Sequence, residues 1–304
     1  MRLSIKGKLI ALTVIPLLGL LYLTATKIYD EYQFKVRLDN VSVLVQVSKK
    51  LSLLIHETQK ERGMSSGYTG SKGAQFVESL PKQHKLTDEI LKEYQEFVQK
   101  TDLTVYPQDL QTLVLALEKD LKALPEVRSK VKSLALPLAE VVKWYTDMNG
   151  RMLRITAFAA SISPENEISK TLIGYTAYLE SKERAGIERA VLSGTFGADR
   201  FAPGMFARVI RLIAEQDAYL DTFLDNASEK IKTFYLDSMK DESIAAVERM
   251  REIAITNAST GGFGVDAEVW FATITKKINL LKEVDDRISS EIDAIMEGFT
   301  SNSM

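Results

Sequence analysis

An uncharged apolar run near the amino terminus restricts the fold of this chain more than any other feature. The run covers residues 9–26 (LIALTVIPLLGLLYLTAT) and follows three basic residues, Arg2, Lys6 and Lys8. As a helix, it would span about 27 Å at roughly 1.5 Å per residue, close to the hydrocarbon thickness of a bilayer. We therefore expect this segment to enter a membrane.

Two interpretations of this segment compete. A cleaved signal peptide would have the same charge pattern, and Thr24-Ala25-Thr26 is an acceptable small-residue cleavage site. However, the run is longer than the apolar core of a usual signal peptide, and polar helix formers continue it from Lys27 without a break. These observations favour an uncleaved transmembrane anchor over residues 9–26. The basic residues before it place residues 1–8 in the cytoplasm, so the chain from about residue 30 onward would lie outside the inner membrane.

Helix signals dominate the remainder of the sequence. No sustained apolar–polar alternation is bounded by Asn-Gly or Asp-Gly turns, so strands are not predicted. The triplet Ser163-Pro164-Glu165 is typical of a helix start. Pro107, Pro125, Pro203 and the glycine-rich segment 259–266 separate the periodic segments.

These signals predict an all-α fold of about eight helices. The predicted ranges are up to 66, 74–101, 107–123, 126–161, 164–196, 204–240, 242–258 and 266–298, and Pro137 is expected to kink the fourth helix. Because the connections are short, we expect an up-and-down helical bundle, arranged as two four-helix bundles that share long helices.

Composition excludes several classes of function. Lys and Arg total 39 against 41 acidic residues, so no basic excess exists to attract nucleic acid, and no nucleic-acid partner is expected. Cysteine is absent, which excludes disulfides, thiolate metal sites and cysteine nucleophiles.

The motif search does not support an enzyme. His56-Glu57 begins like a zinc-protease motif, but Lys60 stands where the second histidine would be required. The glycine-rich segment 67–73 lacks the Lys-Ser or Lys-Thr that closes a phosphate-binding loop. No Gly-x-Ser-x-Gly elbow is present. We therefore expect no catalytic residue, no metal site and no cofactor.

Helical spacing separates the arginines of two similar stretches. Arg184 has Glu180 and Glu188 four positions away on either side, which is typical of a surface ion pair. Arg62 and Arg189 have no acidic residue three or four positions away. A buried cation without a partner is costly, so each of these two must reach solvent or bind an anion. Spacing alone leaves both alternatives open, and solvent exposure is the commoner state of an arginine on a helix.

At these residues the sequence resembles the NIT (nitrate- and nitrite-sensing) domain family. The resemblance covers roughly residues 40–295. It is carried by LIHETQKERGMSSGYTGSKG with QHKLTD, then KERAGIERAVLSGTF, then AEVWFATITKKINLLKEVDDRI. It implies a helical sensor domain of the kind that precedes the output modules of methyl-accepting chemotaxis proteins, histidine kinases, diguanylate cyclases or transcription antiterminators. It also implies that nitrate or nitrite binds between two helices that each contribute an arginine, here Arg62 and Arg189.

The side-chain chemistry is compatible with that ligand. Nitrate is planar and singly charged, and a guanidinium can meet one of its edges with two parallel N–H···O bonds. Two arginines on different helices could clamp opposite edges, and the hydroxyls of Ser65, Ser66 and Ser193 could complete the site.

The family includes extracytoplasmic and cytoplasmic sensors, and here the apolar segment and its flanking charges decide the expected organisation of the chain. Residues 30–298 would form an extracytoplasmic, periplasmic sensor domain and residues 299–304 a tail. With a single N-terminal span, the protein would signal as a homodimer with a cytoplasmic signalling module or partner protein. Two alternatives remain at this stage: a related sensor for another small ligand, such as a carboxylate or amino acid, or a helical scaffold that binds no ligand.

Overall fold

The structure, a computed structural model, describes residues 5–302, and its secondary structure in that range is entirely helical. The helices are α1 (Ile5–Gly70), α2 (Ser79–Val98), α3 (Gln108–Lys132), α4 (Leu138–Ile162), α5 (Asn166–Gly197), α6 (Met205–Asn226), α7 (Glu229–Ser238), α8 (Glu242–Thr256) and α9 (Ala267–Asn302), with a 3-10 turn at Leu103–Val105. The predicted all-α class is confirmed. Residues 1–4 and 303–304, which belong to the expected cytoplasmic terminus and tail, lie outside the described residues.

Two proline predictions were wrong. Pro125 lies inside α3 instead of separating two helices. The apolar stripe explains this, because Leu121, Leu124 and Val127 are all buried and their packing outweighs the lost backbone hydrogen bond. Pro137 does not kink a helix. It stands at the N-cap of α4 in an extended conformation, where its missing N–H costs nothing.

Three helix ends also differ from the prediction. The segment 204–240 is two helices, because the backbone is extended at Ala227 and Ser228, and the Ser228 side chain accepts a hydrogen bond from the amide of Ile231. Helix α5 starts at Asn166, with Glu165 at its N-cap. Helix α9 continues to Asn302, so most of the expected tail is helical.

The apolar run forms the first part of α1. An 18-residue window of this helix has a mean hydropathy of 2.1, and none of that window is buried against the rest of the protein. The first buried residue of α1 is Leu38. Within the described residues, α1 is the one helix that is long and apolar enough to cross a membrane.

The helices form two bundles that meet along α1 and α5. Helices α1 to α4 pack together, and α9 packs against α5, α7 and α8, while α6 lies along α5. Helix α1 also contacts α5 and α9, and α5 also contacts α4, so both long helices belong to the boundary. The expected pair of bundles sharing long helices is confirmed.

A buried ion pair and its hydrogen bonds join α1, α5 and α9. The Asp285 carboxylate on α9 accepts hydrogen bonds from Lys182 Nζ (2.6 Å) and Tyr175 Oη (2.9 Å) on α5. Ser52 on α1 donates to the same carboxylate at 2.5 Å. Moving these helices apart would leave a buried charge without its partner, which is strongly unfavourable. The contacts therefore hold the three helices in fixed positions relative to one another.

Candidate functional site

The structure brings Arg62 and Arg189 together at the boundary of the two bundles. Both side chains have no solvent exposure. A Cβ on Gly63 of α1 would lie 3.2 Å from Arg189 Nε, and a Cβ on Gly186 of α5 would lie 2.8 Å from Arg62 Nη2. Each guanidinium therefore lies against a glycine of the other arginine's helix. The absence of a side chain at these glycines is what lets the two cations approach.

Arg62 is nevertheless paired, which its helical neighbours could not indicate. Its Nη1 donates to Glu183 Oε1 at 2.5 Å, and its Nη2 lies 3.3 Å from Oε2. Gln59 and Asn149 donate to the same carboxylate, at 2.7 and 3.3 Å. Glu183 comes from α5, and spacing along α1 could not indicate a partner on another helix. Arg62 therefore has no counter-charge on its own helix, as its spacing predicts, but it finds one on α5.

Arg189 has no carboxylate partner among the described ion pairs. Its Nη1 donates to Thr275 Oγ1 at 2.9 Å, whereas its buried Nε and Nη2 have no hydrogen-bond partner within the described part of the chain. The guanidinium carbon lies 4.8 Å from the ring centroid of Phe271. The Trp270 indole donates to the Arg189 carbonyl at 3.1 Å. Trp270 and Phe271 belong to α9, so spacing along α5 could not predict either contact.

The electrostatic environment of Arg189 is unfavourable for a cation. Burial and the neighbouring Arg62 lower the pKa of Arg189 to about 9, although Glu183 and Glu57 act in the opposite direction. The guanidinium therefore remains charged at neutral pH but is destabilised. A buried cation with two free N–H donors is suited to bind an anion.

The three candidate serines have different surroundings. Ser193 lies one turn after Arg189, is fully buried and has no hydrogen-bond partner among the described residues. The Ser66 hydroxyl donates to the Ala190 carbonyl at 2.7 Å, so its proton is committed to holding α1 on α5. Ser65 lies beside the Tyr145 hydroxyl on α4. The Ser65 hydroxyl, like that of Ser193, has no hydrogen-bond partner among the described residues. Ser193 is the one of the two that lies on the same helix as Arg189.

Arg184 does not form the ion-pair set expected from its spacing. It is partly exposed and pairs with Glu180 and with Glu215 of α6. Glu188 instead is fully buried and accepts two hydrogen bonds from Arg251 of α8, at 2.5 and 2.6 Å. The pairing with Glu188 was therefore wrong, because α8 supplies a better-placed partner than the same helix does.

The two arginines occupy equivalent positions in an internal repeat. The stretch ERGMSSGYTG (61–70) aligns with ERAVLSGTFG (188–197), sharing Glu-Arg, Ser-Gly and a final glycine. In both copies the glutamate pairs with an arginine of another helix: Glu61 with the partly buried Arg128 of α3 at 2.8 Å, and Glu188 with the buried Arg251 of α8. The arginine of each copy turns toward the boundary. This alignment of the two stretches would have identified both arginines from the sequence, without a family resemblance.

A cleft connects the surface with the Arg62 side of the site. It has a volume of about 320 Å³ between α4, α5 and α6, and its lining includes Thr146 and Glu183, both hydrogen-bonded to Arg62. Four arginines line it, against three glutamates: Arg154, Arg184, Arg208, Arg211, Glu180, Glu183 and Glu215. An arginine-rich cleft raises the local concentration of anions.

The remaining motif candidate, His56, faces cations and no metal-ligand group. Its Nδ1 is buried without a hydrogen-bond partner among the described residues. Burial and nearby Lys182, Lys60, Arg189 and Lys282 lower its pKa to about 2, so the imidazole is neutral. The described residues contain no group of three or more His, Cys, Asp or Glu side chains placed to hold a metal ion.

Comparisons with known proteins agree with this architecture. The chain is similar to the "Nitrate regulatory protein" of Klebsiella oxytoca, with 21% identity over 82% of the chain, and it spans 63% of that relative's length. Its fold is similar to the structure of the NasR transcription antiterminator, with a TM-score of 0.81 and 18% identity over 90% of this chain and 74% of that one. The family model described as "Nitrate and nitrite sensing" matches residues 53–293, which include α5, the end of α1 and most of α9. The chain therefore belongs to the NIT, or nitrate- and nitrite-sensing, family.

Proposed function

We propose that this protein is a membrane-anchored sensor that binds nitrate or nitrite between Arg62 and Arg189. The observation that carries the proposal is the state of Arg189, whose buried Nε and Nη2 have no hydrogen-bond partner within residues 5–302. Those two donors lie on one edge of the guanidinium, as needed to grip one edge of a planar oxyanion. Arg62 Nε, which is also without a partner, and Ser193 supply further donors.

Anion binding would change the energy of the bundle boundary. In the unliganded protein Arg62 and Arg189 repel each other across α1 and α5, and each lowers the stability of the close approach. An anion between them turns this repulsion into attraction. Because a ligand shifts an equilibrium by its unequal affinity for two states, binding would favour the state in which the bundles are closely packed.

Helix α1 supports an extracytoplasmic location for the sensor. Its apolar window is exposed and long enough to cross a bilayer, and the exposed Tyr22, Tyr29 and Tyr32 stand at its outer end, where aromatic residues favour the interface. With Lys6 and Lys8 before the span, the orientation rule places the bundles in the periplasm of a bacterium. In this arrangement the sensor works as a homodimer in a chemoreceptor-like system and signals through a cytoplasmic module or partner protein.

A second candidate ligand is a small carboxylate. Glu183 already presents a carboxylate edge to Arg62, which shows that this geometry accepts such a group. Acetate carries a methyl group where nitrate has a third oxygen. Among the contacts described for Arg189, the Phe271 ring alone would favour a methyl group. We therefore propose nitrate or nitrite first.

Thermal melting and calorimetry of the full chain in detergent test this function. Nitrate, nitrite and acetate are added at constant ionic strength. Nitrate at one hundred times its dissociation constant should stabilise the protein by about 2.7 kcal/mol, and Arg189→Lys should weaken binding because lysine cannot form the bidentate contact. Arg249→Lys, at an exposed position of α8, is the matched control because it makes the same substitution away from the site. Equal nitrate affinity in Arg189→Lys and the wild type would refute the proposal, and tighter binding of acetate than of nitrate would favour the second candidate.

A further inference from the structure

The proposed anion site contains a negative charge of its own. Glu183 is 2% exposed, contacts Arg62 and is held by Gln59 and Asn149. A buried carboxylate beside an anion site weakens the binding of any anion by repulsion. Its presence therefore calls for a function other than increasing affinity.

The buried charges around the site can be counted. Four ion pairs neutralise most of the other charged groups on the surrounding helices: Glu57–Lys60 (2.9 Å), Glu61–Arg128 (2.8 Å), Glu188–Arg251 (2.5 Å) and Lys182–Asp285 (2.6 Å). Lys277 of α9 lies near the Glu188–Arg251 pair, where Glu188 and Glu248 attract it, so it belongs to that cluster and not to the anion site. The arginines of the cleft are partly or fully exposed, so solvent screens them. Two cations, Arg62 and Arg189, and one anion, Glu183, remain, and the site has a net charge of +1.

A net charge of +1 has a direct consequence in a site without solvent exposure. A bound monoanion makes the site neutral, whereas a dianion leaves a buried net charge of −1 that nothing described compensates. Uncompensated buried charge is strongly unfavourable. We propose that Glu183 sets the valence of the accepted anion, so that the site binds monovalent oxyanions and excludes divalent ones such as sulfate. This inference rests on the proposed function, because it assigns specificity to the same site.

The test separates valence from shape. Perchlorate and sulfate are both tetrahedral and similar in size, but they carry one and two negative charges. Calorimetry of the full chain in detergent, at constant ionic strength, would give the ratio of their dissociation constants. The wild type should prefer perchlorate at least tenfold. Glu183→Gln, which removes the charge and keeps the shape, should reduce that preference at least tenfold.

Two further variants control for indirect effects. Glu180→Gln removes the same charge from the same cleft, but Glu180 contacts Arg184 and not Arg62. It should leave the preference within threefold of the wild type. The double variant Arg62→Gln/Glu183→Gln restores a net charge of +1. It should bind both anions more weakly and regain the preference for perchlorate.

The outcomes decide the inference independently of the natural ligand. No shift toward sulfate in Glu183→Gln would overturn it, and so would an equal shift in Glu180→Gln. If Glu183→Gln is too unstable for calorimetry, melting temperatures in the two salts are compared with those of Glu180→Gln at the same concentrations, which corrects for the general effects of each salt. The difference between the sulfate and perchlorate shifts should move toward sulfate in Glu183→Gln, and no such movement would overturn the inference. A wild type that binds no nitrate would refute the proposed function alone, because the perchlorate and sulfate comparison does not involve nitrate.

Discussion

Arg62 and Arg189 face each other across the boundary between α1 and α5, but a carboxylate neutralises Arg62 and no carboxylate is bound to Arg189 among the described ion pairs. Both are fully buried, but Arg62 contacts the Glu183 carboxylate at 2.5 Å, whereas the contacts described for the Arg189 guanidinium are the Thr275 hydroxyl and the Phe271 ring. The two arginines are therefore expected to differ in what they contribute to stability, although both belong to the proposed anion site.

Replacing the two arginines by methionine should have opposite effects on the unliganded protein. Arg62→Met leaves Glu183 as a buried charge without an ionic partner and should reduce the free energy of unfolding by about 3–5 kcal/mol. Arg189→Met removes an unpaired cation and its repulsion with Arg62, so stability should be unchanged or increased. Chemical denaturation followed by circular dichroism, in nitrate-free buffer, measures both.

Arg251 supplies the control for burial alone. It is 7% exposed and pairs with Glu188, just as Arg128 pairs with Glu61 in the first copy of the repeat. Arg251→Met should destabilise the protein as Arg62→Met does, without reducing the nitrate affinity of the folded state. A loss of several kcal/mol in Arg189→Met would contradict the assignment of an uncompensated charge.

The sequence predicted the helices and the two arginines, but not the partners of the arginines. Helix class, the apolar span and the bundle arrangement follow from periodicity, which is a local property. Glu183 could not be assigned to Arg62, because pairing across helices depends on how α1 and α5 cross. Pro125 and Ser228 show the same limit at helix ends. A stripe of buried apolar residues keeps α3 helical on both sides of Pro125. The N-cap residue Ser228 divides a segment that periodicity predicts as one helix.

The glycines at the crossing offer a second prediction. A Cβ on Gly63 would lie 2.6 Å from Phe271 Cε2 and 3.2 Å from Arg189 Nε, and on Gly186 it would lie 2.8 Å from Arg62 Nη2. Gly63→Ala and Gly186→Ala should each displace a guanidinium and weaken nitrate binding at least tenfold in calorimetry. Gly150 on α4 has nothing within 4 Å of a Cβ. Gly150→Ala should stabilise the protein by about 0.5–1 kcal/mol and leave affinity unchanged. Undiminished affinity in both site variants would contradict the close crossing.

Stability should depend on pH through His56. Burial and then Lys182 lower its pKa from 6.5 to about 2. Since the folded protein binds fewer protons here than the unfolded chain, this contribution is complete above pH 6.5 and is lost as the pH falls. The loss should be about 1.4 kcal/mol per pH unit below 6.5.

The His56→Gln variant should remove most of that slope between pH 6.5 and 4.5, as measured by denaturation at each pH. His84 is the matched control. It is partly exposed, and although burial lowers its pKa, Glu61 acts in the opposite direction. His84→Gln should therefore retain most of the slope. An identical pH dependence in the wild type and His56→Gln would show that the imidazole is not buried as described.

Residues 9–26 should remain in the mature protein as an anchor. Mass spectrometry of purified membranes should find the intact amino terminus, and alkaline phosphatase fused after residue 302 should be active, because this reporter requires export to the periplasm. A new amino terminus at about residue 25 to 30 would indicate a cleaved signal peptide. An inactive fusion would place the bundles in the cytoplasm.

The most direct measurement is a crystal structure of the protein grown with sodium nitrate and compared with one grown without it. In the nitrate-grown crystal we expect a flat, three-lobed density peak between the two guanidinium groups. The peak should lie within hydrogen-bond distance of Arg189 Nε and Nη2 and of at least one donor from Arg62 or Ser193. Arg62 should still contact Glu183. Nitrate density elsewhere, with Arg189 Nε and Nη2 left without a partner or bound to a carboxylate of the protein, would contradict the account.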